Sequence, residues 1–307
     1  MRVMVTGAAG FVGKALCSAL SLKAIPLTRV SRASDMLTSV AVGDMDGATD
    51  WTLALEHCTV VVHLAARVHV MNDTAADPLA AYRRTNVDGT IRLARQAAAA
   101  GVRRFIFISS VKVNGESTPK GRPFRADDVP APQDPYGVSK MEAEVGLRQV
   151  GEQTGLQVII IRPPLVYGPG VGANFATLLR AVRRGLPLPL GAIQNQRSLV
   201  ALDNLIDLII TCLQHPAAAN QTFLVSDGHD LSTAELVCGI ARAAGVPARL
   251  PRVPVWVLRA VASLLGKRDV VSRLSSNLQV DISKTCGLLA WTPPLSVQEG
   301  LRRAVSR

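Results

Sequence analysis

Aromatic residues are scarce in this 307-residue chain, 4% of the total, and none is interleaved with basic residues to make a stacking platform for single-stranded nucleic acid. Long basic runs are missing as well. The arginines fall in scattered doublets, Arg83-Arg84, Arg103-Arg104, Arg183-Arg184 and Arg302-Arg303, so no nucleic-acid partner is expected. The five cysteines, Cys17, Cys58, Cys212, Cys238 and Cys286, are odd in number, far apart and without a Cys-x-x-Cys spacing. That excludes a disulfide framework and a zinc site, and it suits a reducing cytoplasm. No apolar run reaches the ~20 residues that span a bilayer. The most apolar stretch, Val253 to Leu265, has 13 residues and is broken by Arg259; it reads as a helix packing on the body of the protein, with a membrane-surface contact as the alternative. A strand pattern already begins at Arg2, leaving no room for a signal peptide, and the expected location is the cytoplasm. Internal repeats and low-complexity linkers are also lacking.

What is present points to a soluble α/β protein. Apolar residues make up 48% of the chain, ample for a large core, and 34 Lys+Arg against 23 Asp+Glu leave a net charge of +11. The excess favours an anionic partner, and a phosphate-rich small ligand meets it without invoking nucleic acid. Strands alternating with helices at this length suggest one nucleotide domain plus a smaller lobe.

The run from Arg2 to Thr6 is followed by Thr6-Gly7-Ala8-Ala9-Gly10-Phe11-Val12-Gly13 and a helical pattern through Leu22. This is strand, tight glycine turn, helix, in which glycines let the backbone approach a pyrophosphate and the helix N-terminus faces its charge. The second strand, about Ile25 to Val30, lacks the carboxylate that grips the ribose of NAD; Arg29 and Arg32 stand there and suit a 2′-phosphate. Asp44 and Met45 follow a third apolar run, with Asp44 a candidate for the adenine amino group. The next strand, Thr59 to His63, runs into the small residues Leu64-Ala65-Ala66, over which a cofactor can lie; His63 reads as a packed histidine. Asn86, inside a helix, either holds backbone or water near a proton path or makes a simple buried hydrogen bond. Phe105 to Ile108 delivers Ser109 and Ser110 to a strand end, where a hydroxyl either meets substrate or closes a loop.

Tyr136 and Lys140 stand four residues apart on one helix face. A cation beside a phenol stabilises the phenolate, which would let Tyr136 exchange protons well below the usual ~10.

With these motifs in view, the chain resembles the extended short-chain dehydrogenase/reductases, the nucleotide-sugar epimerase/dehydratase group, over nearly its whole length. The resemblance implies a Rossmann-type doubly wound parallel sheet in residues 1–165. A smaller, mainly substrate-binding lobe in residues 166–307 follows, with segments returning to the core. It implies a pyrophosphate turn at Gly7, Gly10, Phe11, Val12 and Gly13. Further cofactor contacts are expected from Leu64, Ala65, Ala66, Asn86, Tyr136, Lys140 and Pro163, the last within Arg162-Pro163-Pro164-Leu165-Val166-Tyr167-Gly168-Pro169-Gly170. The implied catalytic residues are Ser110, Tyr136 and Lys140. Ser110, Asn174, Arg197 and Arg273 are the implied contacts to a nucleotide-sugar, the arginines on its diphosphate. Asp281-Ile282-Ser283-Lys284 and Trp291-Thr292-Pro293 resemble the group's C-terminal end.

Two departures narrow the expectation. Where the group's 4,6-dehydratases carry an Asp-Glu pair after the catalytic hydroxyl, this chain has Val111 and Lys112, which argues against dehydration. Arginines in place of the ribose carboxylate favour NADP(H) over NAD(H). The leading expectation is therefore a 4-ketoreductase of a UDP-4-keto-6-deoxy-N-acetylhexosamine for surface polysaccharide. A UDP-hexose or UDP-N-acetylhexosamine 4-epimerase is the alternative, and a homodimer is an expected assembly. A non-catalytic nucleotide-sensing protein has no need of a complete Ser-Tyr-Lys set.

Overall fold

The computed structural model describes residues 1–33, 39–68, 77–264, 266 and 268–306, save the side chains of residues 39, 173, 174 and 269. Its strands are β1 (Val3–Thr6), β2 (Leu27–Ser31), β3 (Ser39–Ala41), β4 (Val60–His63), β5 (Arg104–Ile108), β6 (Gln157–Arg162), β7 (Leu165–Tyr167), β8 (Leu199–Ala201) and β9 (Thr222–Leu224). Its helices are α1 (Phe11–Leu22), α2 (Thr52–Leu55), α3 (Pro78–Arg83), α4 (Gly89–Ala99), α5 (Pro135–Thr154), α6 (Ala173–Arg183), α7 (Leu202–Gln214), α8 (Thr233–Ala244), α9 (Val255–Leu264), α10 (Arg268–Ser275), α11 (Ser283–Leu289) and α12 (Val297–Val305).

Seven strands form one parallel sheet in the order β3-β2-β1-β4-β5-β6-β9. Such a sheet is covered on both faces, so its central strands are continuously apolar. Val60, Val61 and Val62 are fully buried, as are Ile159 and Ile161. Alternate residues serve opposite layers. Val3, Val5, Val60 and Val62 pack under Leu16 and Leu20 of α1 and Leu205 and Leu208 of α7, while Met4, Val61, Phe105 and Phe107 meet Leu93 and Ala97 of α4 and Ala143 and Leu147 of α5. The strand order reverses between β1 and β4, and open α/β sheets bind ligands at the C-terminal edge beside that switch point.

The second half builds its own core from Tyr167, Phe175, Leu236, Ile240 and Leu301 around the β7–β8 pair. Two of its segments return to the first sheet: β9 extends the edge next to β6, and α7 packs against α1. Tyr167 donates to Asp227 Oδ2 at 2.7 Å, and Asp227 Oδ1 accepts from Ala201 N and Asn204 Nδ2 at 2.7 Å each, so β7, β8 and α7 are pinned at one buried carboxylate.

All five cysteines are free. Among the described residues no helix is long and apolar enough to cross a membrane.

Candidate active site

The glycine turn is shaped by contact. Gly7 adopts φ +64°, and a Cβ there would stand 2.9 Å from Ala65 N. A Cβ on Gly13 would stand 2.1 Å from Gly7 O, so nothing larger fits. Gly10 is the N-cap of α1 and no side chain caps that helix, which leaves its first-turn amides, those of Phe11, Val12 and Gly13, for an anion. Thr6, at the end of β1, accepts from Leu64 N and Ala65 N at 3.1 Å each. The turn and the Leu64-Ala65-Ala66 segment therefore form one backbone cradle, narrow because of its glycines and open at the sheet edge. This cradle fits a dinucleotide.

The Thr6 hydroxyl also lies 2.7 Å from His63 Nδ1, and His63 Nε2 lies 3.0 Å from Thr90 Oγ1. Because Thr6 Oγ1 already accepts two amides, its proton goes to Nδ1, and Nε2 carries the ring hydrogen toward Thr90. Burial holds the imidazole neutral, with its pKa down at about 3. His63 is a structural post, as the sequence suggests.

Asn86 lies in a π-helical turn, Arg84–Asp88, between α3 and α4 rather than in a regular helix. Its Oδ1 accepts from Arg67 N at 2.8 Å; its Nδ2 donates to Arg67 O at 3.0 Å and to Ser139 Oγ at 3.0 Å. Ser139 in turn donates to Tyr136 O at 2.8 Å. The extra residue in the turn lets a buried amide bridge the β4 loop to the first turn of α5. Of the sequence alternatives, Asn86 holds backbone.

α5 starts sharply. Asp134 caps it, accepting from Gly137 N at 2.6 Å, and Pro135 occupies its first position. Lys112 pairs with Asp134 and, at 2.8 Å, with Glu116. A Cβ on Gly137 would stand 3.0 Å from Lys112 O, so the segment after β5 lies directly on the start of α5. Ser110 and Tyr136 are thereby brought to the same sheet edge, and Pro163 joins them by accepting from Val111 N at 3.0 Å.

Lys140 is 2% exposed. Its Nζ donates to Ile108 O at 2.8 Å and lies 4.4 Å over the Phe107 ring and 6.0 Å from that of Tyr136. Burial pushes its pKa down to about 7, opposed by the Glu144 charge one turn on. The Tyr136 phenol is pushed up, first by burial and then by Asp134 and Tyr82. This reverses the sequence expectation of a depressed tyrosine. The ammonium is engaged with a strand carbonyl and Phe107, while desolvation penalises both charged forms.

Arg29, expected at the adenosine ribose, is turned the other way. It donates to Ser21 Oγ at 3.4 Å and reaches Cys17, both on α1 well past its first turn. Since α1 begins at the glycine turn, the Arg29 guanidinium lies away from the cradle. Arg32, just past the end of β2, is exposed, as is Asp44. Met45 is buried and packs where a Cβ on Gly89 would touch it, at 2.8 Å.

Arg197 and Arg273 are brought together. Arg197 Nη1 donates to Arg273 O at 2.8 Å and Ser276 O at 3.2 Å, which ties it to the end of α10. Burial lowers the Arg197 pKa and the Glu116 charge opposes the shift. Glu116 also holds Lys112, two residues from Ser110, so the arginine pair borders the end of the sheet where Ser110 lies. Asn174 carries a side chain outside the described residues.

Sequence reasoning missed Thr6, Ser139, Asp134 and Glu144. Asp134 had a signal, an acidic cap directly before Pro135; the others act through contacts between distant segments.

A dinucleotide cradle, a Ser-Tyr-Lys set at the carboxyl edge and a second lobe with paired arginines define a Rossmann-type short-chain dehydrogenase/reductase. The chain belongs to the NAD dependent epimerase/dehydratase family, whose model matches residues 3–226. It is 51% identical to a UDP-glucose 4-epimerase of Vibrio cholerae, over 98% of this chain and 93% of the relative. It is 28% identical to a GDP-6-deoxy-D-mannose reductase of Pseudomonas aeruginosa, over 99% of this chain and 96% of the relative. Among solved structures it is similar to MoeE5 in complex with UDP-glucose and NAD, with a TM-score of 0.79 and 25% identity over 99% of this chain and 97% of the other.

Proposed function

We propose that the chain is a 4-epimerase of a UDP-hexose or UDP-N-acetylhexosamine, working with tightly held NAD. The observation that carries the reading is the 51% identity, nearly end to end, to the Vibrio cholerae UDP-glucose 4-epimerase. The sequence-based preference for a ketoreductase leaned on Arg29 and Arg32, and the rotation of Arg29 toward Ser21 removes half of that support. Val111 and Lys112 after Ser110 leave no acid pair for elimination of water, and Lys112 is committed to Asp134 and Glu116.

NAD, if bound, would supply a hydride acceptor and donor for the sugar C4 and, in its oxidised form, a positive charge beside the site. The chain's residues handle the proton. Tyr136 removes it from the C4 hydroxyl and gives it back to the carbonyl oxygen. Ser110 donates to that oxygen as it gains charge. Lys140, held by Ile108 O and 6.0 Å from the Tyr136 ring, would in its protonated form bring positive charge to the tyrosine and to the cofactor's ribose. Gly7, Gly10 and Gly13 with the α1 N-terminus hold the pyrophosphate, and Arg197 and Arg273 take the sugar-nucleotide diphosphate.

Incubation with UDP-glucose or its N-acetyl analogue should give the C4 epimer with no net consumption of NADH or NADPH, and the purified protein should show dinucleotide absorbance. A second reading, the 4-ketoreductase, is favoured by the exposed Arg32 and by the Pseudomonas reductase. Stoichiometric NADPH oxidation by a UDP-4-keto sugar, without epimer formation, would reverse the order.

Two substitutions test the contacts. Arg29→Asp is expected to leave the relative affinity for NADH and NADPH unchanged; a shift in side-by-side titrations would return Arg29 to the cofactor. Arg197→Ala is expected to weaken UDP-sugar binding about tenfold or more with cofactor binding intact, since a guanidinium on a diphosphate makes charge-assisted bonds. Calorimetry with an unchanged sugar-nucleotide affinity would reject that role.

A further inference from the structure

α9 turns an apolar side to solvent. Trp256 is 73% exposed, Leu264 87% and Val261 50%, whereas Ala262 is buried and Val255 and Leu258 pack onto the second-lobe core. At 100° per residue Trp256, Ala260 and Leu264 form one stripe along the exposed face. Single exposed apolar side chains are ordinary, but a stripe of them along one helix marks an interaction surface. The other tryptophans, Trp51 and Trp291, are 1% and 5% exposed.

The segment that carries this stripe is basic between its bounding acids, Glu235 and Asp269. From Leu236 to Arg268 the sequence holds no Asp or Glu and six cations, Arg242, Arg249, Arg252, Arg259, Lys267 and Arg268. Arg252, Arg259 and Arg268 are exposed, and no salt bridge among the described residues engages them. The helix has 10 residues, too short to span a bilayer.

We propose that α9 rests its Trp256-Ala260-Leu264 face on an anionic lipid bilayer, with Arg252, Arg259 and Arg268 on lipid phosphates, as a peripheral membrane contact. Apolar residues with Trp at the interface and cations at the flanks are the chemistry of a helix lying at a charged membrane. A second copy of the chain fits worse, because a two-fold contact would set the same acid-free, basic segment against itself. α9 packs on α10, so docking places Arg273 and its partner Arg197 one helix from the lipid surface. The proposal stands independently of which sugar is turned over.

The test uses the full-length protein with vesicles of phosphatidylcholine alone or mixed with phosphatidylglycerol. The protein should sediment with the anionic vesicles and not the neutral ones, and its tryptophan emission should move to shorter wavelength, reporting Trp256 because the other two are already buried. Leu264→Ser should lower partitioning about tenfold by removing buried apolar carbons. Arg252→Glu combined with Arg259→Glu should abolish the preference for anionic lipid. Both variants should keep the parent's thermal unfolding and its turnover of soluble substrate. Failure to sediment, equal binding to neutral vesicles, variants that bind like the parent, or a blue shift produced by raising protein concentration without vesicles would each overturn the proposal.

Discussion

Tyr136→Phe is expected to lower turnover by about 10²-fold or more while leaving dinucleotide affinity near that of the parent. The phenyl ring keeps its edge contact with Tyr82, at 6.1 Å between centroids, and the backbone carbonyl keeps its bond from Ser139, so the substitution removes the hydroxyl and little else. In the chain by itself the phenol is pushed up, first by burial and then by the Asp134 carboxylate and the neighbouring Tyr82. It therefore holds its proton, so the acid form is the one present to meet a ketone. Accepting a proton from a carbinol requires added positive charge, from Lys140 and from the oxidised cofactor. Single-turnover rates and cofactor titration on the same samples separate the two effects. Equal turnover by mutant and parent would remove Tyr136 from the mechanism.

Much of this site was readable because its signals are local. Gly7, Gly10 and Gly13 sit within one turn, and the clash of a Gly13 Cβ with Gly7 O is the physical content of that spacing. Tyr136 and Lys140 share a helix face by arithmetic alone, and the apolar runs of β4, β5 and β6 announce a buried parallel sheet. What was not legible depends on the direction of a side chain or on distant contacts. Arg29 lies on the expected strand, yet its guanidinium goes to Ser21, because a strand position says which face a residue occupies and not where a long flexible side chain ends. Tyr136 was expected to be depressed by its lysine, but the spacing could not reveal that Ile108 O and Phe107 engage the ammonium. Asn86 was recognised as out of place in a helix; the π turn that accommodates it, and Ser139 as its relay to Tyr136, required the fold.

Glu144→Ala is expected to destabilise the fold by about 3–5 kcal/mol, because it strands a buried guanidinium. Glu144 and Arg162 side chains are 1% and 2% exposed and meet at 2.6 Å. Glu144 also accepts from Arg162 Nε at 2.8 Å, Ser109 Oγ at 2.6 Å and Arg148 Nη2 at 3.2 Å, while Arg162 Nη1 goes on to Asn114 Oδ1 at 3.0 Å. One carboxylate thus ties α5 to the end of β6 and to the residue before Ser110. Against a typical stability of ~5–15 kcal/mol, the loss should be plain in chemical denaturation, and an unchanged midpoint would show that the surroundings tolerate an unpaired Arg162. A second readout reports on the site itself. Glu144 raises the Lys140 pKa that burial lowers to about 7, so removing its charge lets Lys140 lose its proton at still lower pH. If the protonated form is the working one, the alkaline limb of the rate profile is expected to move toward acid in Glu144→Gln, which keeps the side-chain shape and is assayed below its unfolding transition. A limb that stays in place would confine Glu144 to stability and free Lys140 from its influence.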